Sequence, residues 1–509
     1  MTKRVPGLIA LLLLAVACSP NTAIVPPGTT TTGLDSTTTS TAEATPTSPE
    51  TTSTTTTPVD VGASPGAPGL GDPYFPMLGN GGYDVEHYTL ELTVDPIEGG
   101  LQGEVTIEAT ATETLSAFNL DLVGLTVDNV TVDGAVASYS RDGGELTVVP
   151  PSVLPGGEAF AATISYGGIP EAWYFVSEPF PTGWRHTADG VYVVAEPDAA
   201  RTWFPCNDHP SDKATYTFRI TVPDPYVVAA SGSLIEQTPA GDGEDAASTY
   251  VWEMTYPMAT YLATIVVAEM DRVDRPGLPH VVVRDYLPTW VDASEVTEFS
   301  LSAEMIEYLE TIYGPYPFDA YGHVLVPDLV IALETQSLSV FGDVWIGSDI
   351  LEYVVVHELA HQWFGDCISP ATWQDIWLNE GFAVYSEWMW IEHSHGRDAM
   401  LDYVEGVYSQ VAHIDHPPPG DPGVFDLFNY ESVYLRGALT LYALRAEVGD
   451  EVFFEIIRTY ADTFAYGNAT IDDFISLAET VSGRDLEDVF DGWLYDPTVP
   501  PLPELQEPD

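Results

Sequence analysis

The sequence predicts a multidomain β + α chain: an N-terminal antiparallel β domain of saddle or sandwich type, then a mainly helical domain. Three observations carry this. At 509 residues the chain exceeds the size of one typical domain. Between about residues 83 and 268, apolar residues recur at every second position and turn signals separate the runs. From about Ser300 the spacing changes to that of helices.

In chain order, residues 1–18 read as an export signal. Lys3 and Arg4 precede an apolar run, Leu8 to Ala17, that is too short to span a bilayer. Its end, Leu14-Ala15-Val16-Ala17-Cys18, resembles the lipobox of bacterial lipoproteins. That resemblance implies lipidation at Cys18 and a place on the outer face of the membrane, with plain secretion as the alternative. Residues 19–72 are rich in Thr, Ser and Pro, as in Thr51-Thr52-Ser53-Thr54-Thr55-Thr56-Thr57-Pro58. Such a segment has too few large apolar residues to offset ordering entropy, which predicts a disordered tether.

Residues 73–272 form the predicted β domain. In the strand Tyr83 to Val94, Tyr88, Leu90, Leu92 and Val94 share one face, and Gly103 to Thr110 alternates likewise. Asp142-Gly143-Gly144 and Pro155-Gly156-Gly157 mark turns. Residues 273–509 form the helical domain. Helices are predicted from Leu301 to Tyr313, Ile350 to Gly365, and Trp377 to His395 before Gly396. Further helices run from Val433 to Val448, from Glu451 to Phe464, and in two shorter pieces to Tyr495. Cys206 and Cys367 are expected as unpaired, buried thiols.

Charge excludes whole classes of partner. Against 77 Asp and Glu stand only 15 Lys and Arg, a net charge of −62. Such a chain repels phosphate backbones and anionic lipid surfaces, so nucleic acid is excluded and membrane contact is left to a lipid at Cys18. An acidic surface of this strength suits a salty exterior.

The decisive segment is His357-Glu358-Leu359-Ala360-His361. Two histidines four apart share one helix face and can hold one metal; neutral imidazole suits Zn²⁺. With His at 11 positions, chance gives on the order of 0.02 such matches in a chain of this length. A catalytic zinc needs a third protein ligand and an open position, and Glu380 in Trp377-Leu378-Asn379-Glu380-Gly381 is the candidate, at the start of the next helix.

His357 to Asp366, with Trp377 to Gly381, resembles the membrane-alanyl-aminopeptidase family of gluzincin zinc peptidases. So does Glu196-Pro197-Asp198-Ala199-Ala200-Arg201-Thr202-Trp203-Phe204-Pro205-Cys206-Asn207-Asp208-His209-Pro210. The resemblance runs from about residue 80 to 500. It implies a saddle-like β domain packed on a thermolysin-like catalytic domain, one zinc per chain, and peptide substrates with a free N-terminus. The large helical C-terminal domain of many relatives has no counterpart after Tyr434. Glu358, beside the first ligand, is the natural general base. By resemblance, Tyr434 steadies the oxyanion, although Leu435-Arg436 stand where Glu-Lys is common. Glu334, in Ile331-Ala332-Leu333-Glu334-Thr335-Gln336, and Glu196 match the family's anchors for the substrate amine. The family's glycine has become Ile331 and its asparagine Thr335. Glu387 shares a helix face with Glu380 and is a candidate to accept the second N–H of a ligating imidazole. Two further readings stay open: a zinc hydrolase of this fold with endopeptidase or other specificity, and a binding protein on an inactive scaffold. The second predicts lost ligands or a lost base, whereas His357, Glu358, His361 and Glu380 are all present.

Overall fold

The alternation around Leu90 folds as the strand Tyr83–Asp95, which buries Tyr88, Leu90, Leu92 and Val94 and exposes Glu91 and Thr93. A computed structural model describes residues 62–176, 179–243 and 246–505. The strand lies at the centre of an eight-stranded sheet, in the order Ser233–Pro239, Ala247–Met258, Ala214–Pro223, Tyr83–Asp95, Gly100–Ala111, Ala159–Gly168, Thr126–Val132 and Ala135–Val136. Its neighbours are antiparallel except Ala214–Pro223, which runs parallel to Tyr83–Asp95. Two four-stranded sheets complete this layer, and one of them carries Gly183–Thr187 beside Gly190–Val194 at the wall of the cleft described below.

The second half is helical around a sheet that its short, doubly buried strands did not betray in the sequence. Met270–Asp274, Val282–Pro288, Ala320–Val326, Ser339–Gly342 and Ala332–Leu333 form a five-stranded mixed sheet, with Ala332–Leu333 at its edge. Its first strand begins before the boundary placed at residue 273, because Met270 pairs with Pro288. The helices are α1 (Ser302–Tyr313), α2 (Leu351–Ala360), α3 (Trp377–His395), α4 (Arg397–Val411), α5 (Gly437–Val448), α6 (Asp450–Thr463), α7 (Ile471–Ser482) and α8 (Glu487–Phe490). Three departures from the sequence reading matter. The second helix ends at Ala360 rather than Gly365. α4 was not expected. A π-helical turn, Tyr430–Arg436, precedes α5 and starts before Val433.

Residues 62–72 also depart from the expected tether. Ser64–Pro65 pairs with Leu115–Asp121, and Asp72 is buried. The lipidation signal, Cys18 and the rest of the tether lie outside the described residues. Cys206 and Cys367 are both buried and free. No helix among the described residues is long and apolar enough to cross a membrane.

Two helices meet almost backbone to backbone. A Cβ on Gly381 of α3 would stand 2.9 Å from the Gly437 carbonyl carbon and 3.1 Å from its Cα. Nothing larger than glycine fits this crossing, which sets α3 against the turn Tyr430–Arg436. Arg436, fully buried, donates to the carbonyls of Trp493, Gly492 and Asp496 and so fixes the far end of that turn. Lys213 of the β domain reaches across to the catalytic half. Its Nζ donates to the carbonyls of Asp366 (2.8 Å), Cys367 (2.9 Å) and Gly467 (3.3 Å). Three acceptors offset the several kcal/mol that an unpartnered buried ammonium would cost, roughly.

Ser302, His323 and Asp285 mimic a catalytic triad but are no such site. All three are fully buried, Ser302 Oγ donates to the Phe299 carbonyl at 2.9 Å, and the Phe299 ring stacks on His323 at 4.1 Å.

The β domain holds carboxylates that favour the protonated form. Burial pushes Asp208 up to about 6 and Asp212 up to about 7, and it pushes the partly exposed Glu145 up to about 7. Between the unfolded carboxyl range near 4 and these values, the folded state binds protons that the unfolded chain does not. Stability therefore falls as pH rises through this window. The melting temperature of the zinc-saturated protein is expected to drop steadily from about pH 5 to pH 7 and to level off above that. The drop should persist in 1 M NaCl, which screens surface repulsion but not buried groups. A melting temperature that is flat or rising over that range contradicts this account.

Candidate active site

Helix geometry assembles the centre. In α2, His357 lies in the last turn, and His361 is the first residue beyond the helix, still with helical backbone angles. Four residues of helical rise bring both rings to one side, 4.8 Å apart between centroids. The first turn of α3 brings Glu380 opposite them. Its Oε2 lies 3.3 Å from His357 Nε2 and 3.4 Å from His361 Nε2.

The proton positions decide what this cluster wants. His357 Nδ1 meets Glu387 Oε1 at 2.8 Å, and His361 Nδ1 meets the Phe364 carbonyl at 3.1 Å. Both partners accept only, so each Nδ1 carries the hydrogen and each Nε2 presents a lone pair. Two lone pairs therefore converge on a buried carboxylate oxygen that has no hydrogen-bond partner of its own. Three acceptors facing one another call for a cation. Two imidazoles and one carboxylate, with one side open to a cleft, suit a catalytic zinc.

Around this point lies a cleft between the two halves of the molecule. Glu358 and Tyr434 line it, as do Glu334 on the catalytic side and Glu196 on the β-domain side. Glu358 is 5% exposed, and burial pushes its carboxyl up. Glu334 directly follows the edge strand Ala332–Leu333, is 2% exposed, and its Oε1 has no hydrogen-bond partner among the described residues. Carboxylate oxygens of Glu334 and Glu358 and a ring nitrogen of His361 all lie within 4.8 Å of one another. Burial pushes the Glu334 carboxyl up as well. The Tyr434 ring lies parallel to His357, 6.2 Å away. Glu387, on α3, reaches His357 and lines the cleft.

One residue inside the quoted motif escaped the sequence reading. Gln362 Nε2 donates to the Glu334 carbonyl at 2.9 Å, and its Oε1 accepts the Ser337 N–H at 2.7 Å. It clips the end of the histidine helix to the edge strand, and its signal was its place directly after His361. Phe180, Phe428 and Tyr430 also line the cleft, and no periodicity marked them.

Residues 84–262 match the Peptidase M1 N-terminal domain, and residues 297–493 match the Peptidase family M1 domain. The whole arrangement superposes on a crystal structure of the M1 zinc metallopeptidase from Deinococcus radiodurans. The TM-score is 0.80 and the identity 34%, over 86% of this chain and 100% of that one. The chain belongs to peptidase family M1. A second M1 structure, a mutant of the Deinococcus radiodurans enzyme bound to a Tyr-Ser-Ala substrate, aligns with a TM-score of 0.79 at 34% identity, over 86% of this chain and 99% of that one. Among curated M1 relatives, Aminopeptidase N of Streptomyces lividans is 25% identical over 445 residues, covering 81% of this chain and 50% of its own length. Aminopeptidase N of Lactobacillus delbrueckii subsp. lactis is 26% identical over 450 residues, covering 82% and 51%. The chain thus spans about half the length of these curated M1 relatives and the full length of the two-domain M1 structures. The metal of this M1 centre is zinc.

Proposed function

We propose that the protein is a zinc-dependent aminopeptidase that removes N-terminal residues from peptides. The observation that carries this is Glu334 Oε1, a buried acceptor without a partner, facing the cleft within reach of Glu358. A substrate ammonium supplies the missing donor. The cleft lining repeats the preference: Glu196, Glu334, Glu358, Glu380 and Glu387 line it, and no Lys or Arg does among the described residues. Support also comes from the names of the relatives and from the tripeptide held by the Deinococcus radiodurans enzyme.

Zinc held by His357, His361 and Glu380 supplies a Lewis acid that polarises the scissile carbonyl and acidifies water. The protein's own groups do the rest. Glu334 and Glu196 bind the ammonium from opposite sides of the cleft and fix how far the scissile bond enters. Glu358 takes the proton of the attacking water on its carboxylate and hands it to the departing amine nitrogen. The Tyr434 hydroxyl donates to the carbonyl oxygen as that oxygen gains charge. Glu387 keeps the His357 proton on Nδ1, which leaves Nε2 free to ligate. We further propose export as a lipoprotein anchored through Cys18, on the strength of Leu14-Ala15-Val16-Ala17-Cys18.

A panel of fluorogenic aminoacyl substrates, with and without an N-terminal acetyl group, tests the activity. Unblocked substrates should be cleaved and acetylated ones spared. Glu334→Ala should raise KM sharply, lower kcat through misplacement of the scissile bond, and shrink the preference for unblocked substrates. An unchanged KM and preference in that variant would favour the endopeptidase-like reading.

A further inference from the structure

Three side chains of one short N-terminal segment touch the roots of three different elements of the cleft. Asp72 is 3% exposed. Its Oδ1 accepts the N–H groups of Tyr74 (2.7 Å) and Phe75 (2.8 Å), which closes a tight turn in its own segment. Its Oδ2 accepts the Trp373 N–H at 2.8 Å and faces His209 Nε2 at 3.3 Å. His209 Nδ1 accepts the Ser211 N–H at 3.2 Å, so the ring proton sits on Nε2 and is donated to Asp72. One carboxylate thus joins the N-terminal segment, the β domain and the turn Trp373–Asp375, which leads into α3 and Glu380.

Tyr74 holds a second root. Its hydroxyl donates to Asp421 Oδ1 at 2.8 Å and accepts the Gly423 N–H at 3.0 Å. That loop runs on to Phe428 and into the turn Tyr430–Arg436, which carries Tyr434. Phe75 holds the third. Its ring packs edge-on against Trp373, at 6.2 Å, and lies 5.9 Å from Phe175. Phe175 in turn meets Phe428 at 6.0 Å, and its loop continues to Phe180 on the cleft wall. A segment that served only to join two domains would have no need to grip the approach to Glu380 and the approach to Tyr434 separately.

We infer that Asp72–Phe75 is a positioning strap for the catalytic centre: Asp72 sets the seat of the helix that bears the zinc ligand Glu380, and Tyr74 sets the approach of Tyr434. The inference rests on the proposed peptidase reading for the role of Tyr434, and on the metal centre alone for Glu380. Neither Asp72 nor Tyr74 lines the cleft.

Two variants of the full chain test it, with a third as control. Asp72→Asn turns an NH₂ group towards donors that the carboxylate had satisfied. It should release zinc to a colorimetric chelator about tenfold faster than the unaltered protein, the low end of the effect of lost outer-shell support. Tyr74→Phe keeps the ring and removes one hydroxyl. It should lower kcat on an unblocked substrate by roughly tenfold with KM unchanged, as a small misplacement of a catalytic group would. Val130→Ala opens a cavity in the β-domain core, away from the cleft. It should lower the melting temperature while releasing zinc at the unaltered rate. The strap is overturned if Asp72→Asn releases zinc at the unaltered rate, or if Val130→Ala releases it as fast. It is also overturned if Tyr74→Phe turns over normally. Zinc release needs no substrate. A protein that cleaves no unblocked substrate would count against the proposed activity, while the zinc comparison still decides the Asp72 half of the strap.

Discussion

Glu358→Gln is expected to lower kcat by roughly 10³- to 10⁴-fold, with KM within about twofold and one zinc per chain retained. The amide matches the carboxylate in shape but cannot take up the water proton. The three proposed ligands, His357, His361 and Glu380, are left in place, so metal content should not move. A second consequence runs the other way. Glu358 and Glu334 are buried carboxylates whose oxygens come within 4.8 Å of each other, and burial pushes both towards the neutral acid. Neutralising one relieves that conflict, so the variant should melt higher than the parent. Single-turnover kinetics, metal analysis and thermal unfolding check the three parts. A kcat within tenfold of the parent would move the general base elsewhere, with Glu334, within 4.8 Å, a carboxylate placed to take its role.

Removal of zinc is expected to abolish turnover, and added Zn²⁺ should restore it. The same treatment should lower the melting temperature. A metal present at a thousand times its dissociation constant stabilises the folded state by about 4 kcal/mol, a shift on the order of 10 °C for a domain of this size. The physical source is the cluster itself. Without a cation, two imidazole lone pairs and the unpartnered Oε2 of Glu380 face one another in a buried space. Glu380→Gln should reproduce both losses and should not be rescued at ordinary zinc concentrations. A chelator that strips the metal yet leaves activity untouched would refute the zinc assignment.

What could be read from the sequence followed the range of the interactions involved. The strand Tyr83–Asp95 announced itself because one face is buried and the other wet, and α3 because Gly396 marks its end. His357 and His361 were legible because the helix repeat alone brings them together. Glu334 and Glu196 come from opposite walls of a cleft. Periodicity says nothing of such meetings, and only resemblance pointed to them. The five-stranded sheet was hidden because Ala320–Val326 and Ser339–Gly342 are buried on both faces and so do not alternate. α4 had its signal in Met400, Val404, Val407 and Val411, but Gly396 was read as an end and not also as a new beginning. The π-helical turn before α5 shifts the register by a fraction of a turn, below what apolar spacing can resolve. Asp72 was lost at the end of a stretch whose Thr, Ser and Pro content reads as slack chain. The chain there instead forms a fixed turn, with the N–H groups of Tyr74 and Phe75 on one carboxylate.

The contact of Gly381 with Gly437 bears on how such an enzyme could diversify. The spacing between the metal ligand's helix and the approach to the phenol is set by the thickness of two bare backbones, with no side chain between them to enlarge or trim. Inherited variation can therefore break that gap but cannot grade it. The opposite wall is built otherwise, from the loop around Phe180 and the strand end before Glu196, where side chains of many sizes can be exchanged without moving a helix. New substrate preferences in descendants of this chain are expected to arise on that wall, while the helix crossing stays fixed.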